Sequence, residues 1–170
     1  MRKAIGLDLA KFAGWCLGAP DETPLTGTFT LPETGRDVGR YLNAYADWFE
    51  MMLDYGKPAL VAFEAPFLSN KSNLATSRKL IGLCNVTEQA CSRRAIACTE
   101  VSVQTARKYF TGRGNAEPAQ RIACARMFGV AATNEHEADA FGIWAYSLVA
   151  KVPDMMSRFN MGLLGMAARR

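Results

Sequence analysis

Four side chains of the kind that bind metal ions and move protons fall inside or beside apolar segments of this chain. Asp8 lies within the run AIGLDLA, and Glu64 stands near the end of the run ALVAFEA. His136 and Asp139 lie in EHEADAFGIWAY, and the sequence contains no other histidine. An ionised carboxylate taken out of water must be paired or bound to a cation. Two apolar strands with one acid each, and a helix with His and Asp three residues apart on one face, therefore predict a shared cation. Carboxylates combined with water and phosphate oxygens suit Mg2+ or Mn2+, and the imidazole adds tolerance for Mn2+. Two such ions about 3.5–4 Å apart would activate a water on one side and stabilise a leaving oxygen on the other.

Each residue also has a purely structural reading. Asp8 can cap the turn into AKFAG, Glu64 can meet solvent at a strand exit, and a lone His is commonly a surface or satisfied core residue. In NEHEADAF, Asn134 as N-cap puts Glu137 at the capping-box position. Glu135 is then a first-turn acid favoured by the helix dipole. Neither glutamate needs a catalytic role.

The elements that must position these residues favour one site. Ala4 to Ala10, Gly14 to Ala19 and Leu25 to Leu31 read as three strands, separated by AKFA and PDETP, and such short links favour an antiparallel meander. Val38, Tyr41, Leu42, Tyr45, Trp48, Phe49, Met52 and Leu53 form one helical stripe, stopped by Gly56 and Pro58. Ala59 to Phe63 is a buried strand. A helix from Leu74 to Arg93 and a strand from Ala95 to Val101 follow. Short helices from Ser102 to Phe110 and Glu117 to Phe128 flank the turn TGRGN, and a last helix runs from Glu135 to about Lys151. The predicted class is α/β, a five-stranded mixed sheet flanked by helices. Right-handed crossovers set the fourth strand parallel to the first, which makes Glu64 a neighbour of Asp8.

The chain has 170 residues, 49% of them hydrophobic, and a formal charge of +4. That is one domain with a sizeable core, placed here at 1–153, and a tail at 154–170 that is either a docked helix or a basic arm. The mild positive charge permits a polyanionic partner without requiring one. Five cysteines without a C-x-x-C pair argue against a disulfide framework or zinc knuckle and for a reducing compartment. Cys84 and Cys91 are expected on one helix face as small apolar residues. No segment is long and apolar enough to span a bilayer, and the basic start before Asp8 is no signal peptide. A cytoplasmic protein without a membrane partner is expected.

The segments IGLDLAKFAGW, VAFEAPF, SVQTARKYFTGRGNAEPAQ and HEADAFGIWAYSL resemble, in order and spacing, the RuvC-type Holliday-junction resolvases of the ribonuclease H-like superfamily. The resemblance runs from about residue 4 to residue 150. It implies a ribonuclease H-like fold and a homodimeric endonuclease of branched DNA, the four-way junction, using two Mg2+ ions per site, with Mn2+ as a substitute. Asp8, Glu64, His136 and Asp139 match the four metal ligands; the third is usually Asp in that family, with His in some members. Arg107 matches a basic residue that contacts DNA near the scissile phosphate, and Lys108 beside it joins the candidate DNA-binding set. Pro118 stands where the family usually has a lysine, so Arg113 or Arg121 would have to supply that charge. The loop after Asp8 is about one residue shorter than the family's and lacks its Pro-Gly. These departures resemble the phage-encoded branch, which implies a bacterial or phage-infected cell.

Phe67, just past Glu64, is a candidate for stacking on unpaired bases at a crossover, or a core residue. Lys71, Arg78 and Lys79 beyond it are candidates for phosphate contacts, or a solvated face. Leu80, Ile81, Leu83, Cys84 and Val86 surround more of their helix than one sheet face needs, and this excess predicts a partner subunit. A two-fold dimer would match the symmetry of a four-way junction. Two other readings are a non-cleaving junction-binding module on the same scaffold, and a ribonuclease H or transposase-like nuclease with another nucleic-acid substrate.

Overall fold

A computed structural model describes residues 2–66, 73–149 and 159 of the chain. The strands are β1 (Ala4–Asp8), β2 (Phe12–Gly18), β3 (Leu25–Thr30), β4 (Leu60–Glu64) and β5 (Ala97–Val101). The helices are α1 (Val38–Gly56), α2 (Leu74–Arg93), α3 (Val103–Thr111), α4 (Pro118–Met127) and α5 (Glu135–Val149). The sheet runs in the order β3-β2-β1-β4-β5. The first three strands pair antiparallel, while β4 pairs parallel with both β1 and β5. This is the expected meander followed by crossovers.

Three boundaries among the described residues differ by two residues from the sequence reading, and several others by one. β1 ends at Asp8 and β2 already begins at Phe12, because Phe12 and Ala13 pair with Thr30 and Phe29 of β3 and extend the ladder. β5 begins at Ala97, because Ala95 takes a left-handed turn at φ 53 in which the Ile96 N–H donates to the Cys91 carbonyl. Of the tail expected from residue 154, only Phe159 is among the described residues. It is buried, and its ring lies 5.4–5.5 Å from those of Phe128, Phe141 and Trp144.

The period-2 pleat gives the sheet two unlike faces. Ile5, Leu7, Val61 and Phe63 enter one core with Tyr45, Phe49 and Leu53 of α1 and Leu83, Cys84 and Cys91 of α2. All five cysteines are free thiols. The opposite face carries small residues: Ala4 and Gly6 before Asp8, Gly14, Cys16 and Gly18 on β2, and Ala62 before Glu64. Helix α5 lies against this face, with α3 and α4 packed on its outer side.

Two glycines set how closely α5 approaches. A Cβ on Gly6 would stand 2.5 Å from the Ala140 carbonyl oxygen and 2.6 Å from the Trp144 amide nitrogen. A Cβ on Gly14 would stand 2.1 Å from the His136 carbonyl oxygen. Helix backbone thus rests directly on strand backbone. The Trp144 indole N–H donates to the Gly18 carbonyl at 3.2 Å and ties the helix to β2. Since the atoms in the way are backbone, alanine at Gly14 should force α5 off the sheet and cost about 1–3 kcal/mol or more. Chemical denaturation of Gly14→Ala measures this, and an unchanged midpoint would refute the close-packing account.

Candidate active site

The parallel register of β1 and β4 aligns Leu7 with Phe63 and leaves Asp8 and Glu64 side by side at the carboxyl ends of their strands. Asp8 is 6% exposed and Glu64 half-buried. Burial raises the Glu64 carboxyl well above the ordinary carboxylate range, and a hydrogen bond with Asp8 and the charges of Asp8 and Asp139 raise it further, against the pull of Arg107.

Helix α5 brings the other two residues. Its start is fixed by Asn134, whose side-chain oxygen accepts from the Glu137 N–H at 3.0 Å. Glu137 does not close the expected capping box on the Asn134 backbone N–H, although the Asn134 side-chain amide donates to its Oε1 at 3.1 Å. Its carboxylate reaches one residue further back, accepting from the Thr133 N–H at 2.7 Å and the Thr133 hydroxyl at 3.0 Å. Its other oxygen accepts from Thr28 of β3 at 3.1 Å. The buried Glu137 is therefore a structural tie between helix start and sheet. With the helix so anchored, His136 and Asp139 face the strand ends.

His136 Nδ1 lies 2.7 Å from Asp8 Oδ2, and this hydrogen bond raises the imidazole above its ordinary pKa. Asp139, 3% exposed, takes a two-pronged contact from Arg107 of α3: Nε to Oδ1 at 2.9 Å and Nη2 to Oδ2 at 2.6 Å. Arg121 of α4 also donates through Nη1 to Oδ2 of Asp139, and through Nη2 to Glu135 Oε2 at 3.1 Å. Burial raises the Asp139 carboxyl above its ordinary value, while the hydrogen bond and charge of Arg107 and the charge of Arg121 oppose the rise.

Arg121 is 5% exposed, and its Nε has no hydrogen-bond partner among the described residues. Separating such a buried guanidinium from its carboxylate leaves an uncompensated charge, at a cost of about 3–5 kcal/mol. Pro118 occupies the first turn of α4 and is exposed. Arg121, one turn on, points inward to the acids. Among the described residues, no three His, Cys, Asp or Glu side chains stand ready to hold a metal ion. The pair that best fits a cation is Asp8 and Glu64, two crowded carboxyls of which Glu64 is driven toward its neutral form by burial and by its neighbour.

The remaining candidates are dispersed. Lys108 is exposed on α3. In the TGRGN turn, the Thr111 hydroxyl donates to the Arg113 carbonyl at 2.8 Å, Gly112 takes φ 80, and the Arg113 side chain is left exposed. Arg78 is exposed, and the Lys79 ammonium sits 4.6 Å above the Tyr41 ring. Both line a groove of about 690 Å3 with Arg36 and Asn73. Arg36 was not among the sequence candidates; it lies in a turn before α1 that has no motif. Phe67 and Lys71 lie outside the described residues. On α2, Leu83 and Cys84 are used by the chain's own core, Leu80 and Val86 are half-buried, and Ile81 is 39% exposed.

Glu64, His136 and Asp139 all bind their protons more tightly than an ordinary residue of their type. The folded chain thus holds excess protons between each ordinary and raised pKa, and stability falls as pH rises through that window. Metal-free protein is expected to melt at progressively lower temperature from about pH 5 to about pH 8, with a shallower fall in Glu64→Gln. A flat profile would contradict this crowding of carboxyls.

The sequence matches no protein-family model and no curated protein. Solved structures do resemble it. The RuvC structure of Thermus thermophilus superposes with a TM-score of 0.70 at 15% identity, over 89% of this chain and 96% of that one. T. thermophilus RuvC in complex with Holliday junction substrate gives 0.71 at 15% identity, over 94% and 99%. The yeast mitochondrial Holliday junction resolvase Ydc2 gives 0.59 at 12% identity, over 92% and 83%. The fold of this chain is that of the RuvC-type, ribonuclease H-like proteins.

Proposed function

We propose that this chain is a metal-dependent endonuclease that hydrolyses phosphodiesters in branched DNA, acting as a crossover junction endodeoxyribonuclease. The observation that carries the reading is the convergence of Asp8, Glu64, His136 and Asp139 from β1, β4 and α5 on one end of the sheet, in a fold shared with RuvC solved in complex with Holliday junction substrate and with a mitochondrial Holliday junction resolvase. Asp8 and Glu64 would hold the divalent ion, Mg2+ or Mn2+. Bound there, it would polarise the phosphate and lower the pKa of an attacking water.

The chain's own groups prepare the site. His136 Nδ1 shares a proton with Asp8 Oδ2 and so fixes the orientation of that carboxylate. Arg107, a quarter exposed, offers guanidinium charge beside the acids, where a phosphate oxygen would come. Exposed Arg113, Lys108, Arg78 and Arg36 and half-buried Lys79 supply charge for backbone contacts, and Phe67 and Lys71, outside the described residues, are further candidates for the same DNA. The exposed Leu74 and Ile81 of α2 support a homodimer. No helix among the described residues is long and apolar enough to cross a membrane, which suits a protein that meets DNA in the cytoplasm. We assign residues 1–153 to the nuclease domain and 154–170 to a tail.

One observation favours the non-cleaving alternative: Asp139 accepts three hydrogen bonds from two arginines. The two readings part on a single assay. Purified protein with Mg2+ or Mn2+ is expected to nick a synthetic four-way junction symmetrically, ahead of fork, flap or linear duplex, and Asp8→Asn to abolish cutting while sparing binding. Binding without cutting would establish the module; undiminished cutting by Asp8→Asn would refute the site. Gel filtration is expected to give a dimer, and a strict monomer at high concentration would exclude paired cleavage.

A further inference from the structure

We infer that Phe12, at the start of β2, is a stacking platform for a nucleobase of the strand whose phosphate meets Asp8 and Glu64. The inference rests on the branched-DNA reading above and adds a substrate contact to that site. Phe12 is 43% exposed, and with Tyr55 it is one of two aromatic rings among the large apolar side chains left open in the described residues. Tyr55 lines a groove with Lys3 and Ala59, at the opposite ends of the strands. Phe12 instead lies beside the acids. Its ring centroid is 5.9 Å from that of His136, at an interplanar angle of 36°, and His136 holds Asp8.

Backbone pairing fixes the ring in place. Phe12 pairs with Thr30 of β3, and the Leu31 N–H donates to the Lys11 carbonyl at 2.9 Å. The two-residue pleat puts Phe12 on the same face as Gly14, the register partner of Asp8. A side chain at Gly14 would collide with the His136 backbone, so on this face of β2 the first side chain beside the helix start is that of Phe12. An aromatic held at a strand end gives up little freedom when a flat ligand settles on it. Phe67 follows β4 in sequence, whereas Phe12 opens β2, and β1 with Asp8 lies between those two strands.

The surroundings favour a base over other apolar ligands. The apolar surface is a single ring, edged by the exposed Lys11 and Thr30, and is too small for a protein interface. The Lys11 ammonium stands 5.3 Å from the ring centroid and is paired with Glu33. Both partners are exposed, and such a pair holds weakly. A backbone phosphate can therefore draw the ammonium off the ring and onto the nucleotide that stacks there. Every base offers a π-face to such a ring. Bases inside a duplex keep theirs in the stack, so the contact falls on a base beside the break in stacking at a branch point.

The test places 2-aminopurine singly at each nucleotide flanking the branch point of a synthetic four-way junction, bound to the full-length protein in EDTA so that no strand is cut. Quenched emission at one or more positions is expected with wild type. The quench should be lost in Phe12→Leu, which keeps an apolar cover over His136, and restored in Phe12→Tyr. With Mg2+, Phe12→Leu is expected to raise KM at least about fivefold, with a smaller change in kcat. No quenching in wild type, or quenching that survives in Phe12→Leu, would overturn the contact, and cutting of the junction by wild type would leave the nuclease reading intact. A fall in kcat at unchanged KM would reduce Phe12 to a cover for His136 and also overturn it. Circular dichroism checks the fold, and if Phe12→Leu does not fold, Phe12→Met takes its place. A wild-type protein that neither binds nor cuts the junction would refute both readings.

Discussion

Everything at the candidate site depends on helix α5 lying with its backbone directly on the backbone of β1 and β2. Gly6 and Gly14 allow this contact, and no larger residue at either position would leave room for it. Asp8 follows Gly6 on the same face by the two-residue pleat, and Gly14 is its register partner on β2. The close approach therefore ends beside the carboxylate, where His136 meets it. A helix standing off by the width of a side chain would part His136 from Asp8 and Asp139 from the strand ends. Precision at the site comes from van der Waals exclusion between two rigid elements and needs no loop to set it.

The second governing feature is how charge is distributed in a poorly hydrated space. Asp8, Glu64 and Asp139 come from three elements, and such a cluster of acids folds only if something offsets them. Two devices do so. Glu64 is pushed toward its protonated form, which removes one charge. Arg107 and Arg121 bind Asp139 and supply positive charge. The first device is reversible, because a bound cation would let Glu64 ionise; the second does not depend on protonating a carboxyl. The site is thus asymmetric, with an open half at the strand ends and a closed half under α3 and α4.

Much of this was legible in the sequence, for local reasons. Acids at the ends of apolar runs locate Asp8 and Glu64, and the right-handed crossover rule makes their strands parallel neighbours. The N-cap Asn134 fixes the start of α5, so the shared face of His136 and Asp139 follows from helical spacing alone. The rest needed tertiary information. Gly6 and Gly14 read as ordinary strand glycines until α5 is laid across them. Phe12 is a strand residue only because β3 lies beside it. Arg121 sits in a weakly amphipathic helix, and nothing within α4 says that this arginine, rather than Arg126, turns inward. The partner of Asp139 was illegible for the same reason: a carboxylate near two possible kinds of cation does not reveal which one it takes.

Pro118 has a consequence of its own. A lysine at the exposed first turn of α4 would be a mobile, hydrated charge whose influence rises and falls with salt and with its own protonation. Here the cationic role falls one turn later, on a guanidinium sealed from solvent by the packing of α4 on α5. Counterions do not reach such a group. The electrostatic field at the strand ends is therefore built into the scaffold, and it persists across ionic strengths that would silence a surface lysine.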